Sequence, residues 1–185
     1  MRGSAAMIAL STRTVRVMNE ATAILQRLNG ADLSLDRYLL SARQTLAELA
    51  KPSLLDRRHL ERKAGSYTRN LICGDERTSV WAIVWAPGAA TPIHDHHCSC
   101  CFAVLAGSLR EVWYDAIDTE RAVKTAEHDR LPGFVAAMMP TGPNIHQMIN
   151  VSENEAISIH LYGYDHRTHN SSIDREYRGV ETLLQ

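Results

Sequence analysis

Apolar residues recur at helical spacing along the first third of the chain. Val17, Ala21, Ile24, Leu25 and Leu28 share one stripe, and the Asn29-Gly30 pair after them is a C-cap signal. Leu33, Leu35, Tyr38, Leu39, Leu40, Leu46, Leu49 and Ala50 predict one or two further helices, stopped at Lys51-Pro52. From about residue 66 the texture changes to short β-rich runs broken by turn residues. The clearest are "SVWAIVWAPG", "CCFAVLAGSLREVWYD", "GFVAAMMPTGPN", "HQMINVS" and "AISIHLYGY". Strands this short, at such intervals and with Gly/Pro turns, predict an all-β sandwich or barrel. The expected organisation is a mainly β chain with N-terminal helices. Residues 1–60 form a helical segment packed on a barrel of residues 61–185, in a single structural domain.

Composition narrows the class without naming a function. The chain has 185 residues, 45% hydrophobic and 22% charged, with a formal net charge of -1. That balance gives no reason to expect nucleic acid or an anionic membrane as a partner. No apolar run approaches the length of a bilayer-spanning helix, about 18 residues or more. The opening "MRGSAAMIALSTRTVRV" is too soon interrupted by Arg13 and Arg16 to read as a signal peptide. Of the four cysteines, three crowd into Cys98 to Cys101 and Cys73 stands alone, which is not a disulfide framework. A cytoplasmic, reducing location is expected, for a monomer or small homo-oligomer.

The chemistry concentrates in "HDHHCSCC", residues 94–101. On a strand, alternate residues share a face, so His94 and His96 can present two imidazoles to one ion. His146, in "PTGPNIHQMIN", is the best candidate for a third ligand. Three neutral nitrogens leave open coordination positions, which suits Fe(II) that must accept both substrate and O₂. Zinc held by three histidines and a water is the physical alternative. His97, His128, His166 and His169 are expected to be surface or packing residues, as is Arg167.

A second polar row lies in "SIHLY", residues 158–162, where Ser158, His160 and Tyr162 alternate with Ile159 and Leu161. Three hydrogen-bonding groups on an interior face need partners and can supply them to one another. A solvent-facing polar strand edge is the lesser alternative. In "YTRN", residues 67–70, Arg69 opens the β region, and pointed into the barrel it would clamp a carboxylate bidentately.

The order of these pieces resembles the two motifs of the cupin barrel, a jelly roll. Gly88 lies six residues before His94, and Pro140, Gly142, His146 and Asn150 match the second motif with one extra residue before the histidine. The usual glutamate ligand is missing, since no carboxylate follows until Glu111. Together, "YTRNL", "IHDHHCSCCFAVLAGSLRE", "PNIHQMINVS" and "SIHLY" resemble the cysteine dioxygenases, thiol dioxygenases of the cupin superfamily. The resemblance implies a non-haem Fe(II) enzyme that adds both atoms of O₂ to L-cysteine, giving cysteine sulfinic acid. It implies His94, His96 and His146 as iron ligands, and Arg69 with Tyr67 as the carboxylate site. Tyr162 would act at the oxygen side, oriented by His160 and Ser158. Animal members join a cysteine to this tyrosine by a thioether. Counting forward from His94 gives Cys101, whereas counting back from "LAG" and strand alternation give Cys100; buried packing is the plain role for these thiols. After Tyr162 the family has Ser-Pro-Pro where this chain reads "GYDHR", so the 163–170 loop and the thiol it admits are open. Relatives acting on 3-mercaptopropionate share the iron site but carry glutamine where Arg69 stands. A non-catalytic metal-binding cupin and a zinc isomerase on the same barrel are the remaining alternatives.

Overall fold

Alternation along the β-rich runs sorts their side chains onto two faces, and the architecture follows from what covers each. The computed structural model describes residues 35–51, 55–140 and 144–181, with Glu20, Thr22 and Ala23. The expected stripe from Val17 to Leu28, together with Leu33, Pro52 and Gly142, lies outside the described residues. Among the described residues, helix α1 (Leu35–Leu49) precedes the strands β1 (Tyr67–Gly74), β2 (Ser79–Trp85), β3 (Ile93–His96), β4 (Cys100–Ala106), β5 (Leu109–Ala116), β6 (Arg121–Arg130), β7 (Val135–Met138), β8 (His146–Asn150), β9 (Ala156–Tyr162) and β10 (Ile173–Val180). No helix among the described residues is long and apolar enough to cross a membrane.

Five strands form a sheet in the order β1-β2-β9-β4-β7, and the other five close on themselves as β10-β3-β8-β5-β6. Closure comes from a short parallel pairing of β10 with β6, at Arg178 to Val180 against Arg121 to Val123. It removes the free edges that an open sheet would leave.

The central strand β9 is buried at all seven positions. Ile159 and Leu161 join Val80, Cys101 and Ala103 in an apolar layer against Ala42, Leu46 and Leu49 of α1. The opposite face carries Ser158, His160 and Tyr162 towards the interior, where Phe102, Trp85 and Met148 pack. The helical stripe is narrower than its sequence suggested. Leu46 and Leu49 are fully buried, but Leu40 falls on the opposite side of the helix and is 58% exposed.

Two features of the motif pattern have structural roles away from chemistry. Asn150 Nδ2 donates to the carbonyls of Trp85, Ala86 and Asn154 at 2.9–3.1 Å, tying the end of β8 to the end of β2. Gly107, at φ +72°, turns β4 into β5, and a Cβ there would lie 2.6 Å from that of Ala156. The turn and the close approach both require glycine.

The α1 contact is tested by Leu46→Ala. Loss of a fully buried leucine should lower unfolding stability by about 2–5 kcal/mol, read as a lower urea midpoint at unchanged m-value. A midpoint equal to that of the wild type would mean that α1 adds little to the sheet it covers.

Candidate metal centre

Strand pairing brings the three predicted histidines together. His94 and His96 point inward from β3, and His146, first residue of β8, is the direct register partner of His94. All three are buried, and one ring nitrogen of each lies within 4.8 Å of the others. Of the "HDHHCSCC" run, these two histidines supply the nitrogens of the cluster. Asp95 turns the other way, accepting from Tyr177 Oη and Arg175 N at 2.8 Å each, and so pins β3 to β10. His97 is exposed, with Nε2 2.9 Å from the Ser171 carbonyl.

The outer partners of the rings fix which nitrogen faces inward. His94 Nδ1 donates to the Pro92 carbonyl at 2.9 Å, and His146 Nδ1 donates to Glu111 Oε1 at 3.1 Å. Each therefore presents an Nε2 lone pair to the centre. His96 Nε2 lies 3.0 Å from His146 Nε2. If His96 Nε2 carried the proton and donated it there, buried His96 Nδ1 would be a lone pair without a hydrogen bond. If Nδ1 carried it instead, two lone pairs would oppose each other at that distance. A cation accepting all three Nε2 lone pairs relieves either arrangement, so the residues fit a divalent metal. Burial, reinforced by the neighbouring imidazoles, lowers His94 to about 4 and His96 to about 2, which keeps both as neutral ligands at ordinary pH.

Glu111 was not singled out from sequence as part of the site. It is completely buried on β5. Burial pushes its carboxyl up, but hydrogen bonds from His146 and Arg130 outweigh this and hold it below the usual range. Arg130 reaches it at 2.8 Å and lies 4.3 Å over the Phe134 ring. The signal was its register: Glu111 shares a strand face with Leu109, a wholly buried residue, and a carboxylate there needs a partner.

The polar row of β9 faces the same interior and is buried, which excludes the solvent-facing edge. Trp85 Nε1 can only donate, and Ser158 Oγ accepts from it at 2.9 Å. The Ser158 hydroxyl is then free to donate to His160 Nε2, 2.8 Å away. His160 is kept neutral by burial, which takes it down to about 3, and its remaining proton on Nδ1 goes to the Tyr162 oxygen at 3.2 Å. The Tyr162 proton is left for the cavity side, where the Ser172 hydroxyl is also a hydrogen-bond partner of the phenol. Burial holds that phenol well above its ordinary pKa, so it stays a donor.

The cavity enclosed by these groups is about 50 Å³, room for a few waters. Arg69 and Tyr67 line it from β1, opposite the histidines, with Ile83, Met148 and Ile173 as apolar wall. Cys100 also lines it and is the direct register partner of Tyr162. Cys101 faces the α1 layer instead. Burial pushes the Cys98 and Cys101 thiols up to about 12 and Cys100 well above its ordinary range, and the ligand cluster holds only the three histidines among the described residues. Of the remaining predicted bystanders, His128 and His169 are exposed and Arg167 pairs with Asp165 at the surface. His166 is half-buried and packs edge-on against Trp81.

Glu111→Gln should weaken divalent-metal affinity by about 10–100-fold, measured by competition with a chromophoric chelator. Unchanged affinity in a variant with wild-type unfolding behaviour would show that the carboxylate does not support the His146 ligand.

A sugar phosphate isomerase of the cupin superfamily from Silicibacter pomeroyi is 23% identical, with 50% of this chain and 54% of that one matched at a TM-score of 0.41. This chain therefore spans only about half of that protein. A cupin superfamily protein from Desulfitobacterium hafniense is 12% identical, covering 57% and 84% of the two chains at a TM-score of 0.45. An uncharacterized conserved protein with a double-stranded β-helix domain, from Klebsiella pneumoniae, is 15% identical, covering 65% and 88% at a TM-score of 0.50. That last likeness is one of fold alone, and the chain is a mainly β protein with a cupin-type barrel. The sequence profile described as cysteine dioxygenase type I matches residues 45–172. That stretch is more than half of the chain and contains the histidine cluster, Arg69 and the β9 row, so the chain belongs to the cysteine dioxygenase type I family.

Proposed function

We propose that this protein is a non-haem Fe(II) thiol dioxygenase that oxidises L-cysteine with O₂ to cysteine sulfinic acid. The observation that carries the reading is that Arg69 lines the same small cavity as the three-histidine cluster. A carboxylate clamp then faces a metal seat across a space suited to one small molecule. Family membership supports thiol oxygenation, and the arginine favours a thiol that bears a carboxylate.

In this reading His94, His96 and His146 hold the iron, which supplies the electron exchange that lets a thiol react with O₂. Arg69, with Tyr67 beside it, grips the substrate carboxylate and fixes the sulfur in place, a proximity effect. The apolar wall of Ile83, Met148 and Ile173 keeps bulk water out of the cavity. Tyr162 offers its O–H to the reacting atoms, with Ser158 and His160 orienting that proton. In the net reaction the sulfur gains both oxygen atoms and O₂ is the oxidant. The cavity position of Cys100 and its pairing with Tyr162 favour it over Cys101 as the partner in a thioether.

The reading is tested by anaerobic reconstitution with Fe(II), then O₂ uptake with L-cysteine and mass analysis of the product. Uptake equal to the thiol consumed, with two oxygens gained, is expected. Metal binding without thiol-dependent uptake would mark a non-catalytic binding protein. A much higher rate on 3-mercaptopropionate than on cysteine would overturn the substrate. Arg69→Gln should raise the KM for cysteine by on the order of 30-fold or more, as expected when one partner of a desolvated charge pair is removed, while iron loading is unchanged. Parallel loss of iron and cysteine affinity would contradict the clamp.

The thioether is checked by peptide mapping after turnover. A linked pair lacking two hydrogens should survive in Cys101→Ser and vanish in Cys100→Ser. Linkage through Cys101 would contradict the assignment.

A further inference from the structure

The side chain of Arg69 is held by three neutral contacts. Its guanidinium lies 4.3 Å over the Trp81 ring. Nη1 donates to the Asn170 carbonyl at 2.9 Å, and Nη2 donates to Tyr164 Oη at 2.6 Å. Tyr164 is itself fixed. It is 4% exposed, and its ring centroid lies 5.7 Å from that of Tyr162 and 5.8 Å from that of His97.

The chemistry of this hold matters more than its strength. An arginine has five N–H donors in a rigid fork, and the two bonds above leave three. A long side chain loses rotamer freedom when it is fixed, so tethering it in advance removes that cost from ligand binding. A carboxylate tether would also neutralise the guanidinium, and an incoming carboxylate would then have to compete with it. A phenol and a peptide carbonyl fix the fork and leave its charge intact. The nearest acidic residue on the same segment, Asp165, is occupied by Arg167 at 2.9 Å.

We propose that Tyr164 is a positioning residue for the carboxylate site: its hydroxyl holds Arg69 as a charged, pre-oriented clamp and thereby sets a preference for thiols that carry a carboxylate. The assignment rests on the thiol-dioxygenase reading above, and it adds a residue of the 163–170 segment to the determinants of substrate choice.

The test compares L-cysteine with cysteamine, which keeps the thiol and amine but lacks the carboxylate. Anaerobic calorimetry on the Fe(II)-loaded full-length protein gives the dissociation constant of each, for wild type and for Tyr164→Phe. The wild type should prefer L-cysteine. Y164F removes one oxygen and keeps the ring, and should weaken L-cysteine by about 10-fold, the scale of one charge-assisted hydrogen bond, leaving cysteamine within about twofold. A merely structural role would move both thiols together, and that result overturns the assignment, as does an unchanged preference. Should Y164F fail to load iron, Tyr164→Leu carries the same expectation. If the wild type binds neither thiol, the thiol-dioxygenase reading falls and this one with it. If the wild type prefers cysteine and the variant keeps that preference, only the role of Tyr164 is lost.

Discussion

The site depends on three buried imidazoles whose inner nitrogens converge inside the barrel. Each is unfavourable to bury without a partner for both nitrogens. The Pro92 carbonyl and the Glu111 carboxylate take the outer protons of His94 and His146, and the inner nitrogens are left facing one another. Only a cation, or a proton that burial discourages, resolves that arrangement. The rest of the fold serves to hold it. The β3–β8 pairing sets His94 against His146, and the anchoring of Asp95 to β10 keeps the short strand β3 from twisting its two ligands out of register.

The second sheet supplies the polar counterpart, and here helix and site are linked. Strand β9 can carry three hydrogen-bonding residues inward because its other face is closed by α1. With Ile159 and Leu161 covered by Leu46 and Leu49, water has no route to the back of the strand. The Trp85–Ser158–His160–Tyr162 series then has one consistent sense of donation, set by an indole that can only give and an imidazole too buried to charge. In a wetter setting water would satisfy each group separately and the direction would be lost.

Much of this was legible because it follows from local period. Alternation placed His94 with His96 and Ser158 with His160 and Tyr162, and it favoured Cys100 over Cys101 for the cavity. Turn chemistry separated the strands, and Arg69 was picked out by its position at the start of the β region. What could not be read is what pairing across strands decides. Glu111 was noticed only as a ligand that came too late, because its contact with His146 depends on the register of β5 with β8. Tyr164 looked like part of a loop that departs from its family, since nothing local says that the loop folds back onto β1. Leu40 looked like core because a helical stripe read from sequence is wider than the one that neighbouring strands leave room for.

Arg130 and Arg69 show how one residue type acquires two uses. Each lays its guanidinium 4.3 Å over an aromatic ring, Phe134 for one and Trp81 for the other. The ring fixes the plane of the fork in both cases, so the difference lies in the acceptors. Arg130 meets the Glu111 carboxylate, and the two charges cancel beside the metal ligand His146. Two of its nitrogens reach that carboxylate, and removing either partner would leave the other charge poorly compensated. Arg69 meets a phenol and a peptide carbonyl, which orient it without cancelling it. A half-buried positive charge held this way keeps part of its contact with solvent, and it gains most from an anion that completes the pair. The choice of neutral acceptors around Arg69 is therefore what separates a binding group from a structural one.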